Sequence, residues 1–120
     1  MTKPKINPET SKTIEAFHMM WDNFPHVVLL LKKSREIVTA NKAAGKYGFL
    51  PGKKCYEVAG KTEIHAGCKA NAALEENSAQ RSVRYNKEAN RVSDAYWLPV
   101  SVENDLYLHF TIYTNLPTEG

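Results

Sequence analysis

The segment of residues 24–58 constrains the fold of this chain more than any other part of the sequence. Residues 26–31 are a short, nearly continuous apolar run rich in valine and leucine, which is typical of a strand buried on both faces. Residues 32–35 are a polar break that we interpret as a turn in water. Residues 36–40 then resume with three β-branched side chains, which predicts a second strand lying beside the first.

A short helix is predicted directly after this hairpin. Asn41 precedes an alanine-containing segment, where its side chain can accept hydrogen bonds from the first free amides of a helix. Three glycines and Pro51 divide the residues that follow into single turns. A hairpin that runs directly into short, broken helices is an uncommon order of elements, so it narrows the choice of fold.

These residues resemble the PAS domains, which are small sensory modules of signalling proteins. The resemblance lies in Phe24-Pro25, Ile37-Val38, Asn41, Ala43-Ala44 and Gly52-Lys53-Lys54-Cys55-Tyr56-Glu57-Val58. The turn departs from the family pattern, because the usual D-x-x-G is replaced by residues 32–36. The resemblance covers roughly residues 20–115. It implies an α+β fold with a five-stranded antiparallel sheet in the order 2-1-5-4-3, helices on one face and an N-terminal flanking helix.

A single domain is predicted over residues 10–116, with tails at residues 1–9 and 117–120, because 120 residues suffice for one core. Apolar residues at steps of three and four predict an N-terminal helix over residues 10–23. Its apolar stripe consists of Ile14, Phe17, Met20, Trp21 and Phe24. The family resemblance implies that this helix packs on the outer face of the sheet and contributes to a homodimer. Packing within its own domain alone is the other interpretation.

The second half of the chain predicts one helix and three strands. Residues 66–77 are rich in alanine and favour a helix. Strands are predicted at residues 81–87, 96–102 and 106–113, with a polar loop at residues 87–93. The side chains expected to meet on one side of the sheet, beneath the helices, are Leu29, Val38, Leu98 and Phe110.

Cys55, His65 and Cys68 are the side chains best suited to hold a metal ion, with the spacing C-x9-H-x2-C. Thiolate and imidazole are ligands that zinc or iron prefers. Three ligands are one short of a closed structural zinc site, and no fourth is obvious. A redox-linked Cys55–Cys68 pair is a further interpretation. Because free cysteine is usually a small apolar residue, the sequence favours plain packing, and we predict no metal site.

No cofactor is predicted. Flavin-binding PAS domains carry N-C-R-F-L-Q at the position of Cys55, and this chain has neither the asparagine before the cysteine nor the glutamine after it. Haem-binding PAS domains take their proximal histidine from the long helix, whereas His65 falls at the helix start, which argues against haem. His26 and His109 are predicted in strands, where a histidine is more often bonded to a backbone carbonyl than bound to a ligand.

Several function classes are disfavoured by composition. The net charge is +3 and the basic residues are scattered, unlike those of a nucleic-acid-binding module. No apolar run approaches the roughly 20 residues of a membrane span, and the N-terminus lacks the apolar core of a signal peptide. We therefore expect a cytoplasmic protein with reduced cysteines. No nucleophile elbow or phosphate-binding loop is present, so no catalytic residues are predicted and the chain itself is not expected to be an enzyme.

The family resemblance implies a sensory module of a signal-transduction protein, such as a two-component system. It would bind a small ligand or a partner and relay a conformational or dimer change to an effector. The effector would be a kinase, cyclase or other protein acting in cis or in trans. The alternative is a ligand-free PAS dimerisation domain, which would associate through the helix of residues 14–24 and the face formed by Tyr107, His109 and Tyr113.

Overall fold

The computed structural model describes residues 8–58, 60–64, 67–100 and 105–117. The first elements are α1 (Pro8–Trp21), β1 (Val28–Lys32), β2 (Ile37–Ala40), α2 (Lys42–Gly45) and α3 (Cys55–Val58). They are followed by α4 (Ala70–Glu76), β3 (Gln80–Asn86), β4 (Arg91–Pro99) and β5 (Leu106–Asn115). The strands form one antiparallel sheet in the order β2-β1-β5-β4-β3, which confirms the predicted topology. None of the helices in the described part of the chain is long and apolar enough to span a membrane.

The sheet is covered on both faces. On the inner face, Leu29, Leu31 and Trp97 pack against alanines of α2 and α4. On the outer face, Val28 and Leu30 pack against Phe17 of α1 together with other apolar residues. The four apolar residues at the start of β1 are all buried, because α1 lies on one side of them and the other helices lie on the opposite side. A continuous apolar run is the pattern expected of such a strand, and the sequence prediction is confirmed.

The prediction that Leu29, Val38, Leu98 and Phe110 share one side of the sheet beneath the helices is correct for Leu29 and wrong for the other three. Leu29 packs in the inner-face cluster, whereas Val38 and Phe110 pack in the outer-face cluster. Leu98 is opposite Leu108, which also belongs to the outer face. Side chains alternate along a strand, so an assignment that is wrong by one residue places a side chain on the opposite face of the sheet. In an apolar run such as β1, the sequence does not mark which residue points inward.

The predicted loop at residues 87–93 is too long. Residues 91–93 belong to β4, and Arg91 is opposite Asn86, which leaves a turn of only four residues. Asn90 adopts a positive φ of 49°, a conformation that asparagine tolerates better than most residues. The polar side chains of this segment are accommodated because β3 and the adjoining part of β4 are exposed or half-buried.

The helix predicted at residues 66–77 is Ala70–Glu76. Its first predicted residue, 66, lies outside the described part of the chain. Gly67 has a φ of 87° and Asn77 has a φ of 48°, so neither continues a right-handed helix. The N-terminal helix spans Pro8–Trp21 rather than residues 10–23.

The apolar stripe predicted along α1 is correct except at Met20. Ile14, Phe17 and Trp21 pack on the outer face of the sheet. Met20 is 67% exposed, and its neighbour Met19 is 85% exposed. Two methionines of α1 therefore point away from the domain.

The turn after β1 does not lie wholly in water, because Arg35 is only 2% exposed. Its Nη1 atom donates hydrogen bonds to the Lys33 carbonyl at 2.5 Å and to Asn71 Oδ1 at 3.1 Å. Asn71 belongs to α4, 36 residues further along the chain, so sequence proximity gives no sign of this contact. Within the described residues, the buried Arg35 Nε has no hydrogen-bond partner.

Asn41 joins α1, β1 and α2 through a buried side chain that is 2% exposed. Its Oδ1 accepts from the amide of Ala44 at 3.1 Å, which confirms the predicted helix cap, and also from the amide of Val28 at 3.0 Å. Its Nδ2 donates to the carbonyls of Trp21 at 3.0 Å and His26 at 2.9 Å. His26 lies in the bend before β1 rather than in the predicted strand.

We expect Asn41→Ala to lower the free energy of unfolding by about 3 kcal/mol, because it leaves two buried amides without acceptors and removes the hydrogen bonds to the Trp21 and His26 carbonyls. Urea denaturation monitored by circular dichroism measures the loss. Asn23→Ala is the control, since Asn23 is exposed in the turn after α1 and its truncation should change stability by no more than about 0.5 kcal/mol. A loss below 1 kcal/mol for Asn41→Ala would contradict this role.

Candidate functional site

A cavity of about 710 Å³ lies between the inner face of the sheet and the segment that carries α2 and α3. One wall is formed by residues of β1, β4 and β5, including Leu29, Trp97 and Tyr107. Ala43 of α2 and Cys55 of α3 belong to the opposite wall. The cavity exists because α2 and α3 are only four residues each, so they cover the sheet less completely than one long helix would. Its volume is within the range of roughly 300–1,000 Å³ found for small-molecule sites.

The sheet wall of the cavity carries a stacked pair of rings. Trp97 and His109 lie opposite each other on β4 and β5, with ring centroids 4.8 Å apart and planes inclined by 18°. His109 Nδ1 donates to the Tyr96 carbonyl at 2.9 Å, a carbonyl oxygen being only an acceptor. The predicted backbone-carbonyl bond of His109 is therefore confirmed, and this bond fixes the orientation of the imidazole.

The face of Tyr107, His109 and Tyr113 was predicted as a dimerisation surface, and the structure places these side chains on the cavity instead. They alternate along β5 with outer-face residues such as Leu108 and Phe110. The alternation itself was predicted, but the side on which each set lies depends on the position of α1. The outer face is the one that α1 covers.

Cys55 and Cys68 both line the cavity as free, half-buried thiols. His65, the third candidate metal ligand, lies outside the described residues. Within the described ranges, no group of three or more His, Cys, Asp or Glu side chains is arranged to hold a metal ion. Burial raises the pKa of the Cys55 thiol, the nearby Cys68 raises it further, and the positive charge of Arg35 opposes both effects. Cys55 is therefore a neutral thiol at pH 7.

Tyr107 forms the closed side of the cavity next to Arg35. Its side chain is 1% exposed, and burial raises the pKa of its hydroxyl, so the phenol stays neutral at physiological pH. The Arg35 guanidinium carbon lies 5.9 Å from the centroid of the Tyr107 ring. A buried positive charge is thus positioned just behind the aromatic wall.

Three basic side chains also line the cavity: Lys46, Lys61 and Arg91. The guanidinium carbon of Arg91 lies 4.3 Å from the centroid of the Tyr113 ring, a cation–π geometry. Sequence reasoning missed Arg91 because it assigned residues 87–93 to a loop. Lys46 and Lys61 follow α2 and α3 in the chain and carry no signal of their own in the sequence.

The thiol of Cys55 should react slowly until the pH exceeds its ordinary pKa of 9.0, because its folded-state pKa is raised above that value. Each unit of increase lowers the thiolate fraction at a given pH by about tenfold. We expect Cys68→Ser protein to react with iodoacetamide at pH 8 well below the rate of the same chain in urea, with the two rates converging as the pH rises. The Cys55 thiol loses its proton at a higher pH in the folded protein than in the unfolded chain. The free energy of unfolding should therefore fall as the pH rises above 9.0.

Cys55→Ser protein, in which only Cys68 reacts, is the matched control for reagent access to the cavity. Equal reaction rates of Cys55 in folded and unfolded protein at pH 8 would show that the thiol is not protected in this way.

Solved structures of other proteins resemble this chain in fold. A sensory box sensor histidine kinase from Vibrio cholerae matches with a TM-score of 0.63 and 13% identity, over 91% of this chain and 97% of that chain. A domain of an HTR-like protein from Haloarcula marismortui matches with a TM-score of 0.54 and 22% identity, over 74% of this chain and 97% of that chain. The PAS domain of Bordetella pertussis BvgS gives a TM-score of 0.48 and 13% identity, over 88% of this chain and 85% of that chain.

No protein-family model matches the sequence, and no curated protein matches it either. The likeness to the first two structures, together with the 2-1-5-4-3 antiparallel sheet, shows the fold. This chain has the fold of a PAS domain, as the resemblance of residues 24–58 predicts.

Proposed function

We propose that residues 10–116 are a single PAS-type sensory domain of a cytoplasmic signal-transduction protein. The domain binds a small ligand in the cavity on the inner face and relays a change in sheet or dimer geometry to an effector, in cis or in trans. It performs no catalysis of its own. The observation that supports this function best is the cavity of about 710 Å³ in a domain of this size.

The composition of the cavity supports a binding role rather than a packing defect. A residual void in a core is expected to be small and lined by apolar groups, because unoccupied volume costs stability. Here the lining includes lysine, arginine and histidine side chains beside the stacked Trp97–His109 pair. Pockets with an apolar body and a few polar groups are typical of small-molecule sites.

Ligand binding should be visible in native mass spectrometry of protein purified without added ligand, or in ligand-observed NMR with a library of small aromatic and aliphatic molecules. We expect at least one binder, and we expect Ala43→Phe to weaken its binding by about tenfold or more, because Ala43 lines the cavity and the larger ring fills it. Ala79→Phe adds the same ring at an exposed position before β3 and should bind as the wild type does.

Tryptophan fluorescence assigns the binding to the cavity. Trp97 lines the cavity and Trp21 lies on the outer face, and they are the two tryptophans of the chain. The binder should change the emission of Trp21→Phe protein much more strongly than that of Trp97→Phe protein. An empty mass spectrum together with no hit in the library would reject the ligand-binding function.

A second candidate function, dimerisation without a ligand, is favoured by the surface of α1. Met19 and Met20 are adjacent and are 85% and 67% exposed, although methionine is more often buried. A second copy of this chain would cover them by packing α1 against α1. This assembly is compatible with a ligand-binding cavity on the other face of the sheet, so the two functions can coexist.

Sedimentation velocity over a concentration series tests the dimer. We expect the double variant Met19→Lys, Met20→Lys to raise the dimer dissociation constant by about tenfold or more, since each methionine buried in an interface contributes on the order of 1.5–3 kcal/mol. Lys87→Glu, which alters the charge of an exposed residue in the turn between β3 and β4, is the control and should change the constant much less. Monomers at all concentrations for the wild type would exclude this function.

A further inference from the structure

We infer that the ligand of the cavity is a planar aromatic molecule that carries a carboxylate. This inference depends on the proposed ligand-binding function of the same cavity and adds the chemical class of the ligand. It is drawn from three features of the cavity: the sign of its charged side chains, the lack of an acidic partner for Arg91 among the described residues, and the accessible tyrosines that line it.

The charged side chains of the cavity are all basic. Lys46, Lys61 and Arg91 line it, and no aspartate or glutamate does so in the part of the chain that the structure describes. The composition of the chain does not account for this bias, because acidic residues are nearly as common as basic ones, 13 against 16. Charges of one sign in a partly enclosed site attract a ligand of the opposite sign.

These basic groups are not neutralised by the protein. The ion pairs among the described residues join Lys32 to Glu36, Arg81 to Asp94 and His18 to Asp22, and none involves the cavity. In contrast to Arg81, whose Nε and Nη2 both donate to Asp94, the Arg91 Nε atom is buried and has no hydrogen-bond partner within the described ranges.

Arginine is well matched to a carboxylate because its planar fork can donate two parallel hydrogen bonds. The stacking of Arg91 on Tyr113 holds the guanidinium at the cavity. A carboxylate there would pair with a positive charge that no acidic side chain of the described residues neutralises. An uncharged ligand would gain no such pair.

The distribution of side chains orients the ligand. Lys46 and Lys61 are exposed and therefore lie toward the mouth of the cavity, where Tyr47 and Tyr113 also line it and are 68% and 48% exposed. Accessible aromatic faces favour a flat ring that stacks on them. The ring of the ligand would thus lie against these tyrosines, with its carboxylate among the basic residues.

Arg35 also disfavours a cationic ligand. It is a buried positive charge 5.9 Å from the Tyr107 ring centroid, and it has no ion-pair partner among the described side chains. A second cation brought into the cavity would be repelled at low local dielectric, whereas an anion would be attracted. Arg35 and the basic residues that line the cavity therefore favour the same sign of charge on the ligand, a negative one.

Isothermal titration calorimetry with three probes of one shape tests the inference: 2-naphthoate, the neutral 2-naphthamide and the cationic 2-naphthylmethylamine. We expect 2-naphthoate to bind about tenfold or more tightly than the amide, and the amine to bind most weakly. Hexanoate, an aliphatic carboxylate, should bind at least about tenfold more weakly than 2-naphthoate, because it cannot stack. Each tenfold step corresponds to about 1.4 kcal/mol.

Arg91→Gln should weaken binding of 2-naphthoate by about tenfold and change binding of 2-naphthamide by less than twofold. Lys46→Gln provides a second variant at the mouth of the cavity. It is used if Arg91→Gln destabilises the fold, which thermal unfolding monitored by circular dichroism measures. The matched control is Lys12→Gln, which removes one positive charge from exposed α1 and should leave both affinities unchanged.

The possible failures are distinguishable. If the amide or the amine binds as tightly as the acid, or hexanoate binds as tightly as 2-naphthoate, the cavity binds ligands but the inferred chemical class is wrong. If Arg91→Gln and Lys46→Gln both fold and neither weakens 2-naphthoate binding, the charge argument fails. If none of the four probes binds and native mass spectrometry also shows no ligand, both the inference and the proposed function fail.

Discussion

The hydrogen bonds of Asn41 hold together the three elements on which the rest of the fold is built. One amide side chain accepts from the backbone at the starts of β1 and α2 and donates to carbonyls at the end of α1 and in the bend before β1. An asparagine is required because both an acceptor and a donor are used, in a site from which water is excluded. This single side chain therefore fixes α1 on the outer face and α2 on the inner face, and so determines where the cavity can form.

Most of the elements could be predicted because local signals agree along the chain. The Asn41 cap, the β-branched β2 and the alternation of β5 each specify one element, whereas the sheet order was implied by the resemblance to PAS domains. The faces were harder to assign, because Leu29 and Phe110 are predicted on one face and lie on opposite faces. A strand of consecutive buried leucines has no polar side, so its orientation is set by register with β2 and β5, which is information that lies elsewhere in the chain.

The site was less predictable than the fold, because its important groups are defined by contacts between distant parts of the chain. Arg35 belongs to a run of lysine and serine that predicts a solvent-exposed turn. Its side chain is nevertheless buried and donates a hydrogen bond to Asn71 of α4. Arg91 stands in an equally polar run, yet it stacks on Tyr113 from the next strand. Cys55 was identified from the family pattern, but its neutral state follows from burial in a cavity that no local pattern reveals.

The proposed sensor would use β5 to connect the cavity with the outer face. His109 points into the cavity and stacks on Trp97, while its neighbour Phe110 points outward and lies 5.6 Å from Trp21 and 5.9 Å from Phe24, measured between ring centroids. Successive residues of a strand share one backbone, so a ligand that displaces the His109 ring and its strand also displaces Phe110. Close-packed rings do not absorb such a shift, and α1 must adjust its position on the sheet. Because α1 carries Met19 and Met20 on its exposed side, the same adjustment would alter the surface that a second copy would contact.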